Sequence, residues 1–186
     1  MIEQPFIETM RLRLRPLERS DAAAIQDAAG RREIADTMIS LPHPYPVGEA
    51  KRYVARQHSD REAGFIATFT IEQKTKNKFC GLVEVRDIDR EHLQGELSFW
   101  LTVEDWGKGY MSEVVEAVVR YAFESLGLNR LFAYHMLRNP ASGRVLEKNG
   151  FKQEGVLRQR VQKWGQFEDV ALWAILRQDW KDALCE

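Results

Sequence analysis

The sequence lacks several features that would indicate particular classes of protein. Among its 186 residues there are only two cysteines, Cys80 and Cys185, and they lie far apart in the chain. A disulfide framework or a cysteine-rich zinc site needs closely spaced or paired cysteines, so neither is expected, and a reducing, cytoplasmic location is the simplest interpretation. No run of about 18 apolar residues occurs, and the first residues lack the apolar core of a secretion signal. We therefore expect neither export nor a membrane-spanning segment.

An excess of one charge is also missing. The chain has 27 Lys and Arg residues against 28 Asp and Glu residues, a net charge of −1. Binding to nucleic acid or to an anionic membrane relies on a basic surface, so no direct role on either is expected. What the chain does have is 44% hydrophobic residues, enough to build a core and to exclude disorder as the main state. This length and composition predict a single domain over residues 1–186.

Hydrophobic periodicity predicts a mixed α/β fold. Alternation of Leu and Arg over residues 7–17 indicates a first strand whose arginines face solvent at a sheet edge. Ser20 or Asp21 is expected to cap the helix that follows. A second helix begins near Val47, and three strands then form an antiparallel meander, in FIATFTIEQ, KFCGLVEVRDI and GELSFWLTV. The predicted order of the whole chain is β-α-α-β-β-β-α-β-α-β-β, without linker or repeat.

The second half of this order depends on clear helix and turn signals. A wide apolar stripe over residues 111–123 predicts a long helix that ends near Gly127. After the strand LFAYHML, Asn139 and Pro140 have the residue types of a helix N-cap and first turn, and Gly150 has that of a helix end. The last two strands are predicted on either side of a turn at Gly165.

A glycine turn between the fourth strand and the long helix is the most informative segment. Gly107 and Gly109 allow successive backbone N–H groups to point at an anion, and the helix dipole places partial positive charge at the same point. A diphosphate fits such a site, although a merely tight turn would use the same residues. The dinucleotide fingerprint fails because Ser112 replaces its third glycine and Asn129 stands where an acidic residue is needed. The nucleotide-triphosphate loop is absent.

The run over residues 95–151 resembles the GNAT superfamily of N-acetyltransferases, in particular its RimJ/RimL-like branch of ribosomal-protein N-terminal acetyltransferases. The opening ETMRLRLRPLERSDA and the closing WGQFEDVALWAILRQDW resemble the same branch. Its loop pattern [QR]-x-x-G-x-[GA] matches residues 104–109, except that Glu104 replaces Gln or Arg. The resemblance implies a GNAT-like fold, a mostly antiparallel sheet with splayed fourth and fifth strands flanked by helices. It also implies acetyl-CoA as the acetyl donor and no metal.

The resemblance further implies which residues hold acetyl-CoA. Backbone N–H groups of residues 106–111 would bind the diphosphate, and the end of the fourth strand would pair with pantetheine like an added strand. Asn139 would either contact the pantetheine arm, cap its helix, or do both. The implied set is Leu101, Thr102, Val103, Trp106, Gly107, Lys108, Gly109, Tyr110, Met111, Asn139 and Ser142.

Attack on a thioester requires a neutral amine, which a protein α-amine with a pKa near 7.7–8.0 supplies more easily than lysine. The branch commonly has Glu at position 96, so Glu96 is a candidate base acting through water; its alternative is an exposed strand carboxylate. A backbone N–H near Leu101 would stabilise the tetrahedral intermediate. The Tyr that the wider superfamily uses as an acid is Leu146 here, whereas Ser142 would donate a hydrogen bond, or more weakly a proton, to the leaving thiolate.

The remaining assignments stay open at this level. His135 is a minor candidate base or a packed residue, His43 borders the acceptor entrance or decorates the surface, and Asp169 orders a turn or contacts the acceptor. The tryptophans are expected in the core and in the cofactor wall: Trp100, Trp106, Trp164, Trp173 and Trp180. The preferred acceptor is a protein N-terminal α-amine, ribosomal proteins included. The alternatives are a small amine (polyamine, aminoglycoside or amino-acid conjugate) and a non-catalytic CoA-binding sensor; a homodimer is a further hypothesis.

Overall fold

A computed structural model describes residues 4–183 as an eight-stranded sheet with helices on both faces. The strands are β1 (Ile7–Glu8), β2 (Leu12–Pro16), β3 (Ala67–Gln73), β4 (Lys78–Asp89), β5 (Gln94–Leu101), β6 (Arg130–Met136), β7 (Lys152–Lys163) and β8 (Gln166–Leu176). The helices are α1 (Ala22–Ala29), α2 (Arg32–Thr37), α3 (Glu49–Glu62), α4 (Tyr110–Glu124), α5 (Pro140–Lys148) and α6 (Arg177–Ala183). The strand order is β1-β2-β3-β4-β5-β6-β8-β7. The mixed α/β fold is thereby confirmed.

The sheet is antiparallel everywhere except between β5 and β6, which are the predicted fourth and fifth strands. These two run parallel and pair only through residues 94–96 of β5 and residues 130–132 of β6. Beyond Glu96 the strands separate, so the backbone edge of β5 toward β6 has no strand partner. The predicted splay is confirmed.

Helices on the two faces of the sheet create two separate cores. Strand alternation sends Leu97 and Leu101 of β5 to the face covered by α4, where Val114, Val115 and Val118 are buried. Trp100 lies on the opposite face, packed against the cluster formed with α1 and α3. The loop over residues 102–109 follows the end of β5 and leads into α4, which packs in the first of these cores.

The predicted first strand is two strands, β1 and β2. The prediction that its arginines lie on a solvated edge strand is therefore wrong. The chain breaks at residues 9–11, where Thr9 Oγ1 donates to the carbonyl oxygen of Leu12 at 2.9 Å. The short β1 takes the edge and places β2 inside the sheet. The Arg15 side chain is only 13% exposed and pairs with Asp21 and Glu72, because a buried guanidinium needs carboxylate partners.

The predicted cap of α1 is also wrong. Asp21 occupies the N-cap position but makes no capping hydrogen bond. Its carboxylate instead accepts hydrogen bonds from Arg15 and from the hydroxyl of Thr70, and it accepts the N–H of Glu18 in the short 3-10 turn before α1. Ser20 Oγ donates to Glu18. Two charged hydrogen bonds to Arg15 compete successfully with one cap.

Most other elements agree with the sequence pattern. Asn139 caps α5 by accepting the N–H of Ser142, Pro140 opens that helix, and β7 and β8 flank Gly165. Two helices were not predicted: α2, and α6 where the last strand was expected to continue. Among residues 4–183, no helix is long and apolar enough to cross a membrane. Cys80 is buried and free, whereas Cys185 lies outside the described residues.

Candidate active site

A cleft of about 450 Å³ lies at the splay, between the end of β5, the loop after it and the start of α5. Eight of the eleven residues expected to hold acetyl-CoA line it: Leu101, Trp106, Gly107, Gly109, Tyr110, Met111, Asn139 and Ser142. The side chains of Thr102, Val103 and Lys108 do not. Within the described chain, no group of His, Cys, Asp and Glu side chains is arranged to hold a metal ion.

The loop before α4 has the geometry of an anion site. Gly107 and Gly109 adopt left-handed φ values of 73° and 75°, which side chains with a Cβ rarely adopt. The N–H of Glu113 makes the first helical hydrogen bond, to the carbonyl oxygen of Gly109 at 3.4 Å, so the N–H groups just before it lack helical partners. The N–H of Trp106 donates to Val103 and is already engaged. Free donors therefore begin at residue 107, one later than expected.

Asp105 holds this loop in shape, a role that the sequence pattern did not reveal. Its carboxylate accepts hydrogen bonds from Thr102 Oγ1 at 2.8 Å, Lys108 Nζ at 2.8 Å and Lys78 Nζ at 3.1 Å. The Asp105 side chain is only 2% exposed. Burial raises the pKa of Asp105, but these hydrogen bonds lower it further and leave the pKa at about 2. The carboxylate is therefore ionised and ties Lys108 to the end of β5.

The end of β5 presents backbone groups to the cleft. The N–H of Thr102 donates to Cys80 of β4 at 2.8 Å, so strand alternation turns the N–H and C=O of Leu101 toward the splay. The indole N–H of Trp106 donates to the Leu101 carbonyl oxygen at 2.9 Å and leaves the N–H of Leu101 for a ligand. This arrangement fits pairing with an extended, amide-containing chain such as pantetheine.

Asn139 and Ser142 form a connected pair at the start of α5. Asn139 Oδ1 accepts the N–H of Ser142, and Asn139 Nδ2 donates to Ser142 Oγ at 2.9 Å. Because Ser142 Oγ accepts from Asn139, its own hydrogen is left to donate into the cleft. Arg144 and Lys148, one helical turn apart, line the same cleft and supply positive charge for phosphate groups. The donors and cations together fit acetyl-CoA.

A second cavity, of about 560 Å³, lies on the other side of β5. It is enclosed by α1, α3, the loop over residues 38–46 and the face of β4 that carries Leu82, Glu84 and Arg86. Met38 and Trp100 line both this cavity and the cleft. The two spaces therefore share part of their walls beside the splayed end of β5, and we refer to the second one as the acceptor cavity.

Glu96, the expected base, lines neither space. It is paired across the strands with Arg86, whose guanidinium donates a hydrogen bond to Glu96 Oε1. Four carboxylates line the acceptor cavity: Glu49, Asp60, Glu84 and Asp87. Of these only Glu84 is buried, at 9% exposed, and it accepts a hydrogen bond from the hydroxyl of Tyr53. Only its position on the inner face of β4 distinguishes Glu84 from other strand carboxylates, so the sequence alone did not mark it.

The structure shows the contacts of the other residues that the sequence left open. His135 is packed: the indole N–H of Trp173 donates to its Nε2 at 3.0 Å, and its Nδ1 lies 2.9 Å from the Met136 carbonyl oxygen. Asp169 accepts the N–H of Gln159 and orders an irregularity in β7. Trp164 is 44% exposed at the β7–β8 turn, in contrast to its expected place in a core or a cofactor wall. His43 does not line the acceptor cavity.

Comparisons with known proteins show which family the chain belongs to. Residues 11–152 match the family described as acetyltransferase (GNAT) domain. The probable N-acetyltransferase YjcK of Bacillus subtilis is 38% identical to this chain, and the alignment covers 89% of this chain and 94% of YjcK. The spermidine N(1)-acetyltransferase of Vibrio cholerae is 28% identical, over 89% and 93%.

A solved structure gives the same result for the fold. The ribosomal-protein-S5-alanine acetyltransferase of Vibrio fischeri superposes with a TM-score of 0.84 at 25% identity, covering 95% of this chain and 98% of that one. The family match covers well over half of the chain, and the matched range includes the loop, the splay and the cleft residues described above. The chain therefore belongs to the GNAT family and is an acetyl-CoA-dependent N-acetyltransferase.

Proposed function

We propose that the chain acetylates the N-terminal α-amine of a protein, and that the acceptor enters through the acceptor cavity. The observation that carries this proposal is that the cleft and the acceptor cavity adjoin, with Met38 and Trp100 in the walls of both. One space has the donors and cations for acetyl-CoA, and the other has the volume for a peptide end. An α-amine needs little help to lose its proton near neutral pH, which suits a site without metal chemistry. Similarity to a ribosomal-protein-S5-alanine acetyltransferase supports this acceptor class.

A polyamine is the second candidate acceptor. Asp60 and Asp87 line the acceptor cavity, and among residues 4–183 neither forms an ion pair. Unpaired carboxylates at a cavity wall attract a cation with several charges. Similarity to a spermidine N(1)-acetyltransferase supports the same interpretation.

In the proposed reaction, the cleft residues act on acetyl-CoA by position and hydrogen bonding. Acetyl-CoA supplies the activated acetyl group. The N–H groups from Gly107 onward would hold its diphosphate, the Leu101 N–H would donate to the pantetheine arm or to the acetyl oxygen, and Ser142 would donate a hydrogen bond to the departing sulfur.

A panel of acceptors tests the proposal. The protein is incubated with acetyl-CoA and with free and N-terminally blocked peptides, ribosomal proteins, spermidine and an aminoglycoside, and the gain of one acetyl group is followed by mass spectrometry. We expect acetylation of unblocked peptide and protein termini only. Acetylation of spermidine but of no peptide or protein terminus would show that the second candidate, a polyamine, is the acceptor. Binding of acetyl-CoA without any transfer would contradict both and favour the sensor.

A further inference from the structure

The acceptor cavity contains a buried carboxylate for which the mechanism above has no role. Glu84 lies on β4 in the cavity wall, and Tyr53 of α3 donates a hydrogen bond to its Oε1. No other described residue hydrogen-bonds its side chain. Resting on the proposed function, we propose that Glu84, and not Glu96, binds the acceptor amine and accepts its proton, and that Tyr53 positions the Glu84 carboxylate.

The position of Glu84 along the sheet supports this assignment. Its Cα partner on β5 is Ser98, two residues beyond Glu96, where pairing with β6 ends. Ser98 also lines the acceptor cavity. Glu84 thus lies beside the part of β5 that has separated from β6. Glu96 lies at the closed end of the splay.

The hydrogen-bond partners of Glu84 and Glu96 also favour Glu84 as the group that binds the amine. Glu96 is engaged by the guanidinium of Arg86, a strong and permanent cation that keeps the carboxylate occupied. Glu84 has only the neutral hydroxyl of Tyr53, so one oxygen remains for an ammonium group. Removing a carboxylate from water without a cationic partner is costly, and a bound amine would supply the missing positive charge.

The electrostatic surroundings suit a base. Burial raises the pKa of Glu84, while the Tyr53 hydrogen bond and the positive charge of Arg86 lower it, and the negative charges of Glu96 and Asp87 raise it. Burial, and then the charge of Glu84, hold the pKa of Tyr53 well above its usual range, so Tyr53 stays a neutral donor. A carboxylate with a raised pKa accepts a proton from an amine more readily than an ordinary one does.

The proposed step balances in protons and bonds. The acceptor ammonium gives one proton to Glu84, and its neutral nitrogen forms a bond to the acetyl carbon. The carbon–sulfur bond breaks, and the second proton passes from the nitrogen to the departing sulfur, which leaves as the CoA thiol. Glu84 then returns its proton to solvent. No oxidant, reductant or metal is required.

Matched substitutions test the assignment, with a free-N-terminus alanine peptide and spermidine as acceptor probes. Glu84→Gln preserves the shape of the side chain and removes the base, so kcat/KM is expected to fall by about 100-fold or more. The decrease of kcat/KM at low pH that protonation of the base causes, the acidic limb of the pH profile, should disappear. CoA affinity, measured by calorimetry, should stay within about twofold and shows that the cleft is intact. Glu96→Gln is expected to retain the acidic limb.

Tyr53→Phe provides a readout that a purely structural role would not produce. Loss of the hydroxyl removes a hydrogen bond that lowers the pKa of Glu84, so the acidic limb should move to higher pH. Full rate in Glu84→Gln, or loss of the limb in Glu96→Gln instead, would overturn the assignment while leaving the proposed function in place. If the unmodified protein acetylates neither probe, the proposed function fails first and this assignment with it.

Discussion

The ionised carboxylate of Asp105 holds the loop before α4 in its conformation. Its pKa of about 2 lies below the ordinary 3.8, because hydrogen bonds from Lys108, Thr102 and Lys78 outweigh the effect of burial. A carboxyl group whose pKa is lowered by folding stabilises the folded state above its unfolded pKa, and that contribution is lost as the pH falls through the folded pKa. Asp105 therefore stabilises the fold above pH 3.8 and ceases to do so toward pH 2.

The substitution Asp105→Asn is expected to lower the free energy of unfolding by about 1 to 2 kcal/mol at neutral pH, allowing for the exposure of both lysines. The difference from the unmodified protein should shrink as the pH falls below 3.8. Urea unfolding followed across this range measures it. Asp179→Asn, at an exposed ion pair with Lys152, is the control and should change little. A difference that does not vary with pH would contradict the electrostatic explanation.

Ser142 offers a second prediction at the residue scale. Because its hydroxyl accepts from Asn139 and is free to donate into the cleft, Ser142→Ala should remove one hydrogen bond to the leaving sulfur. We expect kcat to fall about tenfold, the value of one hydrogen bond to a charged group, with little change in KM for acetyl-CoA. Ser142→Thr keeps the hydroxyl and should recover most of the rate. Equal losses in both variants would indicate a packing role.

The proposed binding of the acetyl-CoA diphosphate depends on the junction of β5 and α4. Gly109 is the N-cap of α4 and has a φ of 75°, and Arg11 closes over the turn by donating to the Lys108 carbonyl oxygen at 2.9 Å. A glycine here lets the chain leave the strand and enter the helix within a few residues, with the free N–H groups on the inner side.

Gly109→Ala is expected to weaken acetyl-CoA binding by about tenfold and to cost about 1 kcal/mol of stability, because a residue with a Cβ resists a left-handed φ. Calorimetry with CoA and thermal unfolding measure the two effects. Gly64→Ala provides a matched control, since Gly64 has a φ of 82° with open space around its missing Cβ and lies outside the cleft lining. The control should lose similar stability and keep its CoA affinity. An unchanged affinity in Gly109→Ala would contradict the anion-site assignment.

At the scale of the whole molecule, one lysine joins distant segments around the acceptor cavity. Lys163, at the end of β7, is buried and donates through Nζ to the carbonyl oxygens of Met38 at 2.8 Å and Leu41 at 2.5 Å. Both of these residues line the acceptor cavity. Burial lowers the pKa of Lys163, and the nearby charge of Arg138 lowers it further. The β7–β8 hairpin is thereby bonded to the loop that borders the acceptor cavity.

Lys163→Met retains the apolar stem and removes both hydrogen bonds. We expect faster amide hydrogen exchange over residues 38–46 and a several-fold higher KM for the acceptor, with unchanged affinity for CoA. Lys152→Met, on the exposed end of the same strand, serves as the control. If exchange in the loop stays at its original rate, the hairpin does not hold the loop.

Several features could be predicted because neighbouring residues determine them. The cap of α5 by Asn139, the Gly165 turn and the glycine turn at Gly107 and Gly109 each depend on a few adjacent residues and their backbone preferences. The apolar stripe of α4 likewise follows from helical spacing. The break at residues 9–11 was missed, because it depends on Thr9 and Arg11 binding Glu113, about a hundred residues away.

By itself the sequence determined the order of most elements, the anion-binding turn, the family and the acetyl donor, since all of these follow from local spacing or from recognisable motifs. Only the tertiary structure decided the burial and the partner of each carboxylate. The hydrogen bond between Glu84 and Tyr53 joins residues that are 31 positions apart in the sequence. The corresponding separation is 10 positions for Glu96 and Arg86 and 125 positions for Lys163 and Met38. Burial and partner choice set the charge and the availability of each group. Both are properties of the packed chain, because distant strands and helices must come together before a partner exists.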